Sequence, residues 1–443
     1  MRLHHTLSQR AFHPVSLAAK AVLLAAACSG PDPVPASQVL LVIETDAPIP
    51  RARLAGDDLV LFDRLRVSVH GSGDEKPCVG CTRDFALAAD QDEISVGVAP
   101  TNGSAVVHVE LYAERNLDAA GAPDVGSSLS AWVRLPPTAA RELRRVRTIL
   151  AMATLGEPRG SREEPVDGDA DVVSVPARWP DAKVVPCTAP LDPDEACVPG
   201  GVVWMGNALR RPGPAGGIAP RLVRISPFRV DLHEVTVGEL RASGLAVSRD
   251  DETDPGVAPE SPTCTYSAGA GADEDLPVNC ISHALAEAFC RARGRTLPTE
   301  AQREYLGGGL RGALYPWGND DPSCDDVVFG RSRGSLGPCI DRPERPAPVG
   351  SARRDVLLVG GRPVVDLAGN LGEWAREPYV GADAPCHRQG YLVDPVCEAG
   401  AAGAFVSRGG SYADVPLGLR AEVRFPARQA VDIIGFRCAR DAR

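Results

Sequence analysis

RGGSYADVPLGLR (Arg408–Arg420) puts two glycines, a serine and a tyrosine in a short run, the composition of a loop that presents a reacting group. The positions that follow Tyr412 hold alanine, aspartate, valine, proline and leucine, which supply neither a Ser, Cys or Lys nucleophile nor a soft metal ligand. A second stretch, DLAGNLGEW (Asp366–Trp374), gathers the hard oxygen donors Asp366, Asn370 and Glu373 around glycine turns, as calcium requires. The same spacing of Asn370 and Glu373 suits a helix capping box, so both readings stand. CVGC (Cys78–Cys81) has the C-x-x-C spacing of a redox dithiol, half a zinc site or a small structural disulfide. No second C-x-x-C accompanies it.

The chain has thirteen cysteines among 443 residues. Arg2, Arg10 and Lys20 precede the apolar run AVLLAAAC (Ala21–Cys28), a targeting segment too short to span a bilayer. Small residues before Cys28 resemble a bacterial lipobox, although Ala25 stands where leucine is usual, and an ordinary secretory signal cleaved after Ala27 is the alternative. Thirteen cysteines less a lipidated Cys28 leave twelve, an even set in an exported protein. Spacing supports local pairs Cys78–Cys81, Cys187–Cys197, Cys264–Cys280, Cys324–Cys339 and Cys386–Cys397, and the simplest scheme then joins Cys290 to Cys438. Connectivity is open at this level.

These residues need elements to hold them. The 45 glycines and 40 prolines, with few aromatics, point to a loop-rich globular chain and away from a long-helix bundle. With 58 acidic against 47 basic side chains, the electrostatic attraction on which nonspecific nucleic-acid binding depends is missing, so no nucleic-acid partner is expected. The order is a signal peptide (1–27), a lipid-anchored proline-rich tether (28–37), a β-sandwich (38–155), a solvated linker (156–182) and a second domain (183–443). QVLLVIET, LRVSVHG, EISVGVAP and AVVHVELYAE are the strand runs of the sandwich. In the second domain Ser282 caps a helix that stops at Gly294, and Thr299 with Gln302 forms a capping box for the next. Trp317 and Trp374 read as core anchors beside glycine turns, and His233 as an edge or satisfied core histidine.

Across this second domain, GGVVWMGN, FRVDLHEVTVGEL, LPVNCISHALAEAFCRARGRTLPTEAQREY, YPWGND, DLAGNLGEW, VSRGGSY and GFRCAR occur in order. In that order and spacing they resemble the formylglycine-generating enzyme, or sulfatase-modifying factor, family. The resemblance implies an α+β fold class: a formylglycine-generating-enzyme-like, C-type-lectin-related domain with much irregular structure. It also implies the Cys290–Cys438 disulfide. It places one calcium on the side chains of Asp366 and Glu373 with carbonyls of Gly369 and Leu371, and a second on Asp326, Val327 and Asp341.

The family oxidises a substrate cysteine with copper held by two cysteines shortly after R-G-G-S-Y. Here those positions are Asp414 and Leu419, so copper is not expected and Arg408, Ser411, Tyr412, Asp414 and Leu419 form a degenerate active-site loop. Gly372 and Arg303 replace two tryptophans common in the family. A related iron-dependent branch needs histidines at H-x-x-x-H spacing, which none of the eight histidines has. No catalytic residue is named on these grounds. The expected function is a cell-envelope lipoprotein whose domain is a noncatalytic binding or scaffold module, with an unidentified protein or peptide ligand and the membrane as partners and structural calcium as cofactor. The alternative is a formylglycine-generating oxidoreductase, or a related oxidation in the same cleft.

Overall fold

The computed structural model describes residues 38–442 apart from 53, 72–74, 90–92, 100–104, 139–141, 169–176, 210–216, 246–262, 268, 335–336 and 399–402. Cys28, the expected signal and the tether lie outside the described residues. Among those described, no helix is long and apolar enough to cross a membrane.

The described residues of the N-terminal region form eight strands: β1 (Gln38–Thr45), β2 (Arg64–His70), β3 (Thr82–Ala86), β4 (Ile94–Val98), β5 (Ala105–Tyr112), β6 (Leu129–Leu135), β7 (Leu143–Leu150) and β8 (Val166–Asp167). They form two sheets, of order β4-β1-β7 and β3-β2-β5-β6-β8. Alternation is the reason these segments are strands: Val107, Val109 and Leu111 of β5 and Leu129, Ala131, Val133 and Leu135 of β6 point to one side. There they share a core with Val39, Leu41 and Ile43 of β1 and Val146 and Leu150 of β7. The segment expected as a solvated linker is partly stitched to this sheet. Trp132 N donates to Arg159 O and Arg159 N donates to Ser130 O, both at 2.9 Å, and β8 pairs in parallel with β6. Low apolar content marks exposure, yet backbone groups at a sheet edge still recruit a partner.

The C-terminal domain holds β9 (Glu195–Val198), β10 (Gly201–Met205), β11 (Arg221–Ile225), β12 (Phe228–Asp231), α1 (Val237–Ala242), α2 (His283–Ala292), α3 (Glu300–Gly307), β13 (Val356–Val359), β14 (Arg362–Val365), β15 (Gly372–Pro378), β16 (Tyr391–Val393), β17 (Phe405–Arg408), β18 (Arg424–Ala427), β19 (Ile434–Gly435) and β20 (Ala439–Asp441). Its sheets are small: β10-β11-β16, β20-β12-β9, β13-β14 and β18-β17-β15-β19. Ser282 accepts from Leu285 N to start α2, and Thr299 and Gln302 form a reciprocal capping box on α3. All six disulfides of the simplest scheme are present, including Cys290–Cys438 across 148 residues. The last ties the buried face of α2 to the strand end before β20.

The two regions are joined. Trp204 of β10 donates from Nε1 to Leu61 O at 2.6 Å, sits edge-on to Phe62, and enters the N-terminal core with Val202 and Leu222. Arg115 donates to the carbonyls of Trp204 at 2.8 Å and of Gly312.

Candidate functional site

β17 carries the chain into Gly409 and Gly410, both at positive φ. A side chain on Gly410 would meet Gly418 O at 2.7 Å, so the loop closes on itself only with glycine there. Asp414 completes the closure. Its Oδ2 accepts from Ser411 N at 2.8 Å and from Ser411 Oγ at 2.7 Å. Tyr412 N donates to Asn370 O at 2.8 Å and Gly330 N donates to Asp414 O at 2.8 Å, which anchors the loop to its neighbours. Leu419, in the short 3-10 helix Pro416–Leu419, is 1% exposed and packs with Tyr315, Phe329 and Ala368. The degenerate loop is therefore divided: one of its two key positions is core and the other is not.

Asp414 lines a groove of about 670 Å³ together with Gly372, Ser407, Gly410, Phe425 and Ile433. Burial raises the Asp414 carboxyl, against the lowering effect of its bonds to Ser411. Burial likewise raises the Tyr412 phenol, with the Asp432 carboxylate adding to it; the hydroxyl donates to Asp432 Oδ2 at 3.2 Å. Arg408 points away from the groove. It is buried against Glu300 and Glu304, with Nη2 at 2.7 Å and 3.0 Å from their oxygens. Burial would raise the Glu300 carboxyl, but Arg408 and Arg424 outweigh it and hold the group well below the carboxylate range.

The Asp366–Trp374 segment resolves one alternative. Gly372–Pro378 is strand β15 and no helix begins at Asn370, so the capping-box reading is replaced by another use of the same side chains. Asn370, at φ +57, donates from Nδ2 to Glu234 Oε2 at 2.7 Å, and Glu234 Oε1 accepts from Leu371 N at 2.9 Å. Burial, reinforced by Asp366 and Glu373, raises the Glu234 carboxyl well above its usual range. Glu373 is fully buried, and Arg437 Nε lies 2.9 Å from both of its oxygens, with Arg303 Nε 3.3 Å from Oε2.

Fit to the implied metals follows from these donors. A cuprous ion does not fit: one position offers a hard oxygen already bonded to Ser411, the other a methyl group, and every cysteine among the described residues is in a disulfide. For calcium the set is uneven. Glu373 offers no oxygen clear of a guanidinium, whereas buried Asp366 keeps Oδ1 without a hydrogen-bond partner while Oδ2 accepts from Gly350 N at 2.6 Å. Gly369, at φ +110, packs against Val328 O, which leaves no room for a side chain. Of the second set, Val327 is buried, Asp326 Oδ2 accepts from Ser323 Oγ at 2.8 Å, and Asp341 is exposed beside Arg342. The Cys324–Cys339 disulfide ties together the segments that carry Asp326 and Asp341.

Three groups escaped the sequence reading. Glu234 lies inside the EVT run and Glu300 inside the PTE run, so their signal was a carboxylate within an apolar motif, where a buried charge must find a partner. His387 is the third; it sits beside a cystine, and adjacency to Cys386 was its only mark.

The family model described as "Sulfatase-modifying factor enzyme 1-like domain" matches residues 182–442. A protein named formylglycine-generating enzyme from Streptomyces coelicolor is 31% identical over 294 residues, covering 55% of this chain and 88% of that protein. A bovine protein named inactive C-alpha-formylglycine-generating enzyme 2 is also 31% identical, over 39% of this chain and 54% of its own length. Among solved structures, Treponema denticola variable protein 1 aligns with a TM-score of 0.39 at 16% identity, covering 56% of this chain and 94% of that one.

Proposed function

The chain belongs to the sulfatase-modifying factor enzyme 1-like family through residues 182–442, and from that premise we propose that its domain is a noncatalytic member that binds an extended peptide in the groove beside Asp414. One observation carries this reading: Asp414 and Leu419 stand where the family's chemistry needs two thiolates, and the cysteines of the described residues are all paired. The groove itself supports binding. It is bordered by Phe425, Pro426 and Ile433, and Gly372 lines it where relatives place a large ring. The bovine and murine relatives whose names call them inactive are consistent with a family that keeps the fold after losing the reaction. We place the module at the cell envelope, anchored by lipid on Cys28, with a β-sandwich between anchor and module; the two sheets with a common core are in keeping with that.

The second reading, an oxidase with altered ligands, is favoured by the openness of that same groove. One experiment separates them. A fluorescent sulfatase-type cysteine peptide should bind the purified full chain, binding should fall on Gly372→Trp, and the peptide's mass should stay unchanged in the presence of Cu(I) and oxygen. Conversion of its cysteine to formylglycine would overturn the noncatalytic reading. Absence of binding at millimolar peptide would remove the groove as a peptide site.

A further inference from the structure

Six disulfides staple this chain, and one of them differs from the rest in what touches its sulfur. Cys397 is 6% exposed, and its Sγ lies 3.4 Å from Nε2 of His387, which is 3% exposed. The orientation of that ring is fixed by its other nitrogen. Nδ1 is 2.9 Å from Gly381 O, and a carbonyl can only accept, so Nδ1 carries the hydrogen and Nε2 is the basic nitrogen turned to the sulfur. Glu300 Oε2 stands 3.6 Å from the same Nε2, with its charge met by Arg408 and Arg424. Cys386, the other half of the pair, is only half-buried.

We propose that Cys386–Cys397 is a thiol-exchange site, at which the thiolate of a small molecule or a protein attacks Sγ of Cys386 and Cys397 departs beside His387. The attacking sulfur bonds to Cys386 as the Cys386–Cys397 bond breaks, and the electron pair of that bond leaves on Cys397 Sγ. A proton taken up by Nε2 from solvent pairs with this thiolate. A second thiolate, attacking the newly attached sulfur, cleaves this mixed disulfide: the electron pair leaves on Cys386 Sγ, the disulfide of the two attacking thiols departs, and both cysteines are left reduced. Exchange is faster when the leaving thiol is the better stabilised one, and an adjacent imidazolium stabilises a thiolate. The direction of attack follows from geometry alone, because the accessible sulfur is Cys386 and the stabilised one is Cys397.

The position of this bond gives the exchange a target. The residues between Cys386 and Cys397 form a strap to the N-terminal region. Gln389 Nε2 donates to Asp124 Oδ2 at 2.6 Å, the Tyr391 hydroxyl donates to Asp181 Oδ2 at 2.9 Å, and the Tyr391 ring meets Trp179 edge-on at 4.8 Å. β16 within the strap pairs in parallel with β11, with Leu222 opposite Tyr391. Opening the cystine releases the closed loop that holds those contacts in register.

The test uses the full chain and reduced glutathione, with acid quenching, alkylation and peptide mapping. Glutathione should appear on Cys386 with Cys397 free, before either partner of Cys187–Cys197, Cys264–Cys280, Cys290–Cys438 or Cys324–Cys339 is modified. His387→Gln, which cannot take up the proton, should slow this opening by about tenfold. Cys78–Cys81, a short half-buried cystine between β2 and β3, away from His387, serves as the internal control and should react at an unchanged rate in the variant. The proposal is overturned by glutathione on Cys397 with Cys386 free, by an unchanged rate in His387→Gln, or by opening only together with Cys290–Cys438. Should His387→Gln fail to fold, the position of the adduct in the wild type decides alone.

Discussion

The two halves of this molecule are held together by different means. In the N-terminal region, long ladders run through β2, β5 and β6, the core is aliphatic, most arginine–carboxylate pairs keep one partner well exposed, as Asp84 beside Arg66, and the single cystine closes a loop of a few residues. In the C-terminal domain the strands are short, five cystines cross it, and a set of ion pairs lies in the core: Arg437 with Glu373 at 0% exposure each, Arg408 and Arg424 with Glu300 at 1–6%. A sheet with one apolar face satisfies its backbone and buries its surface at once, so little else is needed. Irregular backbone does not, and side-chain charge and covalent closure take over the work of fixing position.

The largest effect should come from the covalent closures. Replacing Cys290 and Cys438 by alanine removes a loop of 148 residues, worth about 5 kcal/mol in the chain-entropy model, whereas removing Cys78–Cys81 forfeits about 2 kcal/mol. Urea denaturation of the two double variants measures both. Equal losses would break the contrast between the halves.

Next come the buried charges. Arg437→Met should destabilise the C-terminal domain by about 3–5 kcal/mol, because Glu373 is left charged and poorly paired, while Arg66→Met should cost less than about 1 kcal/mol. The same variant sharpens the calcium question. If calcium competes with Arg437 for Glu373, calcium-dependent gain in melting temperature should be larger in Arg437→Met than in the wild type and vanish in Arg437→Met with Asp366→Asn. An equal response to calcium and chelator in all three separates the metal from these carboxylates.

Legibility in the sequence follows the same division. The runs QVLLVIET, LRVSVHG, EISVGVAP and AVVHVELYAE gave β1, β2, β4 and β5, because period-two alternation against one core is a local property. LSAWVRL and LRRVRTIL carry a weaker signal: β7 exposes Leu143, Arg144 and Arg145, and arginines at an edge blur the alternation. In the C-terminal domain the local signals that worked were caps, Ser282 and Thr299 with Gln302. Motif order carried the family, and parity with spacing carried the cystines. The partners of the motif residues were not readable. That Glu373 meets Arg437 and Arg303, or that Asn370 caps nothing and holds Glu234, depends on contacts between segments more than sixty residues apart. The split fate of the loop fits the apolar Leu419 and the acidic Asp414, but the segments that enclose Leu419 and border the groove come from distant parts of the chain.

The smallest effect concerns a polar pair in the N-terminal region, where the contrast with the buried ion pairs is one of protonation. Glu110 and His108 lie on β5 with Oε2 and Nδ1 3.5 Å apart. Burial pushes Glu110 up to about 7, with Arg66 opposing, and burial together with His70 pushes His108 down to about 4. Both shifts favour the neutral forms, so this is a neutral contact where Glu373 and Arg437 make an ionic one. The signs of their linkage are opposite. Glu110, raised above its unfolded value, contributes stability that is present below about 4.5 and is lost as pH rises through about 7. His108, depressed, contributes stability that is present above about 6.5 and is lost as pH falls through about 4. Across the shared window the two slopes offset, and the melting of the N-terminal region should be nearly independent of pH. Glu110→Gln should expose a rise in stability between about 4 and 6.5, and His108→Gln a fall between about 4.5 and 7, each on the order of 2 kcal/mol. Thermal scans followed by near-UV circular dichroism at half-unit steps resolve this. If both variants slope the same way, the pair is ionic after all, and the two halves of the molecule manage buried charge alike.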